Sequence, residues 1–117
     1  MRNQPKYSFF KNTSYAIDGL IDILKNETSF KIELLVCIIL IPFLFIIDIS
    51  LTNKLFMFIA LMGIPLAEVI NSAIERVVDL VTLEHHNMAK RAKDAGSAIV
   101  FISIVIFISV WASILIA

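Results

Sequence analysis

The chain has 117 residues, enough for one domain, and its 59% hydrophobic content and mean hydropathy of +0.89 point to a membrane rather than a soluble core. Ten basic and ten acidic residues cancel, so net charge identifies no partner and nucleic acid is not expected. The single cysteine, Cys37, lies in an apolar run and excludes an intrachain disulfide or a cysteine-based zinc site.

Residues 1–7 read as a short polar lead with no signal-peptide core behind it. From about residue 8 to 26 the pattern is helical: Ile17, Leu20, Ile21 and Leu24 stand at i, i+3, i+4 and i+7, with Asp18, Asp22 and Lys25 on the other face. With Lys6 and Lys11 nearby, this predicts an amphipathic helix on a membrane surface, the plainer alternative being a helix packed on its own bundle. Leu34 to Ile47 carries no charge. Extended to residues 29–49 it is long enough to span, with Glu33 inside one end and Pro42 in the middle. Asp48 to Lys54 reads as a polar hairpin.

The second predicted span covers residues 55–81. Its first half, Leu55 to Ala67, is uncharged, with Gly63 and Pro65 allowing a bend or close packing. Its second half is different. With Glu68 at zero on a helical wheel, Asn71 falls at about −60°, Glu75 at about −20° and Asp79 at about +20°. An ionisable group at membrane depth costs on the order of 2.5–3.5 kcal/mol even on the lenient insertion scale, so a stripe of them suggests a site facing a bundle interior. Thr82 to Ala95 is polar, and the third span is predicted over 96–117, where Gly96-Ser97 opens a run from Ala98 to Ala117 interrupted only by Ser103, Ser109 and Ser113. Five of the Lys and Arg residues precede the first span core and four lie between Arg76 and Lys93, but only Lys54 lies in the hairpin. The positive-inside rule therefore expects the N-terminus and segment 82–95 in the cytoplasm and the C-terminus outside.

Glu68 and Glu75 are roughly 10.5 Å apart along a helix, too far for one metal to join them. A deep carboxylate suits a base at lipid level, because removal from water strengthens it as a base. A shallower one suits a metal such as Mg²⁺, commonly held by one or two carboxylates and substrate phosphates. Glu27, at the joint before the first span, is a candidate second ligand, and Lys93 with Asp94 at the mouth of the third span offers a phosphate cation and an acceptor. No phosphate-binding glycine loop and no kinase catalytic loop is present. The residues alone thus describe an intramembrane acidic site with a cytoplasmic mouth, phosphoryl transfer being one option. A proton-coupled exporter using Glu68 as carrier is the competing class, but it gives Glu27, Glu75, Lys93 and Asp94 no joint purpose. Taken singly, Asn71 also suits a helix–helix hydrogen bond, Asp79 a solvated helix end, Lys90, Arg91 and Lys93 membrane anchors, and Trp111 an interfacial belt.

Glu68-x-x-Asn71-Ser72-Ala73-Ile74-Glu75-x-x-x-Asp79, followed by Arg91-Ala92-Lys93-Asp94-x-Gly96-Ser97-Ala98, closely resembles the prokaryotic diacylglycerol kinase family. Asn26-Glu27-x-x-Phe30-x-x-Glu33 and Tyr15-x-x-x-Gly19-Leu20 match in the same order. The resemblance implies an all-α membrane protein with three transmembrane helices and an N-terminal amphipathic surface helix, a homotrimer in a bacterial inner membrane with sites shared between subunits. It implies transfer of the γ-phosphate of MgATP to the primary hydroxyl of diacylglycerol. On matching positions, Glu68 is the expected general base and Glu27 and Glu75 the metal ligands. Tyr15, Asn71, Glu84, His86, Lys93 and Asp94 are expected around the nucleotide, and Glu33, Ser97 and Trp111 on the lipid-substrate side. Ser8 stands where a basic residue is frequent, leaving Lys6 or Lys11 to serve. Asp18 replaces a usually basic residue and Ile46 an aromatic. A sister branch phosphorylates undecaprenol, and Gly96-Ser97-Ala98 favours diacylglycerol over it.

Overall fold

The computed structural model describes residues 8–117, so the polar lead and Lys6 lie outside the described residues. Four helices follow in order: α1 (Phe9–Asn26), α2 (Thr28–Ile46), α3 (Leu51–Val81) and α4 (Asn87–Ile116). No strand occurs among the described residues. The last three helices are long and apolar enough to cross a membrane.

Each boundary has a local cause. Ser8 caps α1, its hydroxyl accepting from the Lys11 amide. Glu27 alone separates α1 from α2: its backbone is extended, at φ −116° and ψ 111°, and its amide donates to Ile23. Pro42 and Pro65 sit inside continuous helices, leaving the carbonyls of Ile38 and Leu61 without an i+4 donor. Ser50 caps α3 by accepting from the Asn53 amide at 3.2 Å. That cap draws Leu51 to Lys54 into the first turn of α3, so the hairpin is shorter than residues 48–54 and α2 ends at Ile46 rather than Ile49.

The larger departure is α4. The expected span opens at Gly96, but the helix starts nine residues earlier, at Asn87. His86 caps it through Nδ1, which accepts from the Met88 amide at 3.1 Å. Lys90 then pairs with Asp94 at 2.6 Å, one turn on, which supports the polar first turns. Segment 82–95 is therefore a short turn followed by about two helical turns that stand clear of the apolar stretch.

α3 and α4 form the main antiparallel pair, with α2 against α3. Cys37, Leu44, Met57, Ala60, Leu61 and Trp111 make the core cluster. Trp111 donates its indole N–H to the Met57 carbonyl at 2.9 Å and lies between Phe43 and Phe107. Only Ile23 of α1 is buried. Only 6% of the apolar stretch of α4 is buried within this one chain, so most of that helix must be covered by something else, lipid or protein. A groove of about 500 Å³ between α3 and α4, lined by Phe56, Gly63, Ile70 and Ile102 among others, is part of that open surface.

Candidate functional site

The stripe on α3 runs from buried to wet. Glu68 is 8% exposed, Asn71 and Ser72 are buried, Glu75 is half-buried and Asp79 is exposed. This gradient follows from one unbroken helix that carries the residues from the packed level towards the polar end.

Asn71 is the pivot of the stripe. Its amide nitrogen donates to Glu75 Oε1 at 3.0 Å, an i,i+4 bond that fixes the carboxylate on the helix surface. Its Oδ1 is buried and has no hydrogen-bond partner. That oxygen points at Gly96 on α4, where an added Cβ would collide with it and would also lie 3.6 Å from Ile74 Cδ1. Glycine is needed here for close approach of α4 to the Asn71 side chain.

Carboxylates gather around Glu68. Glu75 and Glu27 both lie near enough to interact with it electrostatically, and so does Glu33 of α2. Glu33 Oε2 is the second buried oxygen without a partner. Two buried acceptors without partners thus occur on the same two elements as this carboxylate group, and leaving a buried acceptor unpaired is costly.

Glu27 reaches this group because the chain turns at it. Its carboxylate makes no capping bond to α2, although it stands at that helix's N-terminus. Arg76, one residue past Glu75, bridges two elements: Nη1 pairs with Asp22 of α1, and Nη2 lies 3.6 Å from Glu27 Oε1. Glu27 and Glu75 are hard oxygen donors, and among the described residues no group of three metal-ligating side chains exists. A set of one or two carboxylates completed by phosphate oxygens fits Mg²⁺ rather than a closed protein cage. The Asn71 bond that orients Glu75, and a Glu27 carboxylate held only by a long 3.6 Å ion pair to Arg76, agree with such use.

Glu84, His86, Lys93 and Asp94 line one concavity of about 360 Å³ at the polar ends of α3 and α4. Lys93 pairs with Asp79 across the two helices at 2.7 Å, both side chains about half exposed, while Asp94 holds Lys90. Lys93 also lies within electrostatic reach of Glu75, which joins the concavity to the stripe. Tyr15 is exposed on α1, one turn before Gly19, and Ser97 is exposed on α4. Trp111 stands apart. It packs at the level of Met57, eleven residues from Glu68 and hence roughly 16 Å along α3.

Sequence reasoning did not single out Asp22 or Arg76 as site residues, nor the contact between Gly96 and Asn71. The Lys90–Asp94 pair had a readable i,i+4 signal. The pairing of residues 22 and 76, or 79 and 93, is made only by the fold.

The sequence pattern of the prokaryotic diacylglycerol kinases matches residues 14–115. The chain is similar to a diacylglycerol kinase of Haemophilus influenzae, 39% identical over 104 residues, covering 89% of this chain and 88% of the relative. It is similar to a diacylglycerol kinase of Pseudomonas aeruginosa at 36% identity, with 88% and 84% covered. An undecaprenol kinase of Bacillus subtilis is 32% identical, with 84% and 80% covered.

Proposed function

The chain belongs to the prokaryotic diacylglycerol kinase family, and on that premise we propose that it transfers the γ-phosphate of MgATP to the primary hydroxyl of diacylglycerol, giving phosphatidic acid. The observation that carries this reading is the buried Glu68 within electrostatic reach of Glu27, Glu33 and Glu75, on a stripe that leads out to a polar concavity. A lipid hydroxyl enters from the apolar side and a nucleotide from the aqueous side.

Glu68 accepts the hydroxyl proton as general base. Glu33 Oε2 lies on the lipid side of it and accepts a hydrogen bond from the glycerol portion of the substrate. Glu27 and Glu75 would hold Mg²⁺, which would neutralise phosphate charge. Asn71 keeps Glu75 in place through the 3.0 Å bond. Lys93 exchanges part of its pairing with Asp79 for a phosphate oxygen, while Glu84, His86 and Asp94 shape the nucleotide side and Tyr15 approaches from α1. Ser97 and Trp111 belong to the lipid side. Because phosphoryl transfer needs mainly positioning and charge stabilisation, a small helical site suffices.

In this reading α1 lies on the cytoplasmic surface of the inner membrane, and the open faces of α3 and α4 are covered by two further copies in a homotrimer. Mixing inactive Glu68→Gln chains with inactive Lys93→Leu chains restores part of the activity if sites are shared. No mixture does so if each subunit works alone.

The direct test offers purified protein, labelled ATP and Mg²⁺ with either short-chain diacylglycerol or undecaprenol. Labelled phosphatidic acid supports the proposal. Product from undecaprenol alone moves the chain to the activity named for the Bacillus relative, and product from neither overturns the kinase reading.

A further inference from the structure

Arg76 carries a positive charge directly beside the metal-side carboxylates, which is an awkward place for one. Its Nη2 stands 3.6 Å from Glu27 Oε1, outside hydrogen-bond distance, whereas Nη1 is closed onto Asp22 Oδ2. Asp22 is itself fixed. Its other oxygen, Oδ1, accepts from Asn26 Nδ2 at 2.8 Å, and the same amide also donates to the Asp22 carbonyl at 2.9 Å. A relay therefore runs Asn26, Asp22, Arg76, Glu27, starting on α1 and ending at the joint between α1 and α2.

We propose that Asp22 is a positioning residue which draws Arg76 back from Glu27, leaving the Glu27 oxygens free for a divalent cation while keeping their carboxylate in place. The proposal rests on the reading of Glu27 as a metal ligand. Without Asp22, the guanidinium has one carboxylate within reach instead of two, and it closes onto Glu27, covering the oxygens the cation needs. With Asp22 present, Arg76 still partly offsets the charge on Glu27 and ties α1 to α3. Both partners are about half exposed, at 43% and 50% of the side chain, so solvent screens the pair and the effect is modest.

The test uses the full chain in lipid nanodiscs with a non-hydrolysable ATP analogue, and Mn²⁺ as the probe, its free fraction read by electron paramagnetic resonance. Asp22→Asn is expected to weaken Mn²⁺ binding roughly two- to fivefold, the scale of one exposed ion pair. In an Arg76→Ala background the same substitution is expected to change nothing, because its effect passes through Arg76. A purely structural part for Asp22 would weaken binding in both backgrounds. Asn26→Ala is expected to act in the same direction by less. The inference is overturned if Asp22→Asn leaves Mn²⁺ affinity unchanged, or weakens it equally with and without Arg76. Glu27→Gln separates the two layers. If it has no effect on Mn²⁺ binding, the metal-ligand reading falls and the inference with it; if it weakens binding while Asp22→Asn does not, only the inference falls.

Discussion

The two polar regions of this molecule are built on opposite rules. Towards the mouth, ion pairs recur: Lys93 with Asp79, Lys90 with Asp94, and Arg76 with Asp22. About two to three turns deeper, Glu68 has like charges for neighbours, and Glu33 and Asn71 each hold a buried oxygen with no donor. Water at the mouth would have tolerated unpaired charges, while the interior, which tolerates them least, is where they are left. A fold selected only for stability would reverse this. The buried set thus gathers like charges and unpartnered oxygens, whereas the mouth is built around ion pairs.

That contrast can be broken in four places. Glu68→Gln should have the largest effect, lowering kcat by about 10²- to 10⁴-fold, the usual contribution of a general base, with the KM for MgATP nearly unchanged. A defect rescued by added metal would instead assign Glu68 to the cation. Asn71→Ala removes the group that orients Glu75, and should cost on the order of 10- to 100-fold in metal affinity or activity, as loss of a ligand's supporting bond does. It should also relieve the unpartnered oxygen, so the thermal unfolding midpoint should fall little. A large fall with normal metal dependence would make Asn71 a packing residue only.

Trp111→Phe keeps a ring between Phe43 and Phe107 but deletes the bond to the Met57 carbonyl. Unfolding in mixed micelles should show a loss of about 1 kcal/mol, the net worth of one hydrogen bond. The KM for diacylglycerol decides the rest: a rise supports a lipid-side part for Trp111, and no change makes it structural. At the mouth, Lys90→Ala should be the mildest, costing about 0.3–0.5 kcal/mol of stability as an exposed i,i+4 pair, with activity kept. A severe loss of activity there would mean that the mouth, too, holds charges for catalysis rather than for structure.

Much of this was legible in the residues because membranes leave simple traces. Uncharged runs marked three spans, and the acidic stripe was visible because Glu68, Asn71 and Glu75 share one face of an otherwise largely apolar helix. The start of α4 was not. Lys90, Arg91, Lys93 and Asp94 look like a loop by polarity, but the His86 cap and the Lys90–Asp94 pair let helix continue past the apolar stretch. Nor was the Arg76 bridge legible. Its partner is 54 residues away on a helix whose docking is a tertiary event, and no periodicity within α3 speaks of it. Glu33 was placed on the lipid side by resemblance; its unpartnered oxygen beside Glu68 emerged only from the fold.

The α3–α4 pair is pinned near both ends by unlike devices. Towards the polar end, Asn71 fits against the bare backbone of Gly96, and towards the other end the Trp111 indole is hooked to the Met57 carbonyl. Two pins set apart on the same pair forbid one rod from sliding along the other. The helices thus work as a graduated ruler, on which the height of Glu68 relative to the Lys93–Asp79 rung is engraved in protein rather than set by the surrounding lipid. A thicker or thinner bilayer tilts the ruler as one piece, and the interval between its marks stays the same.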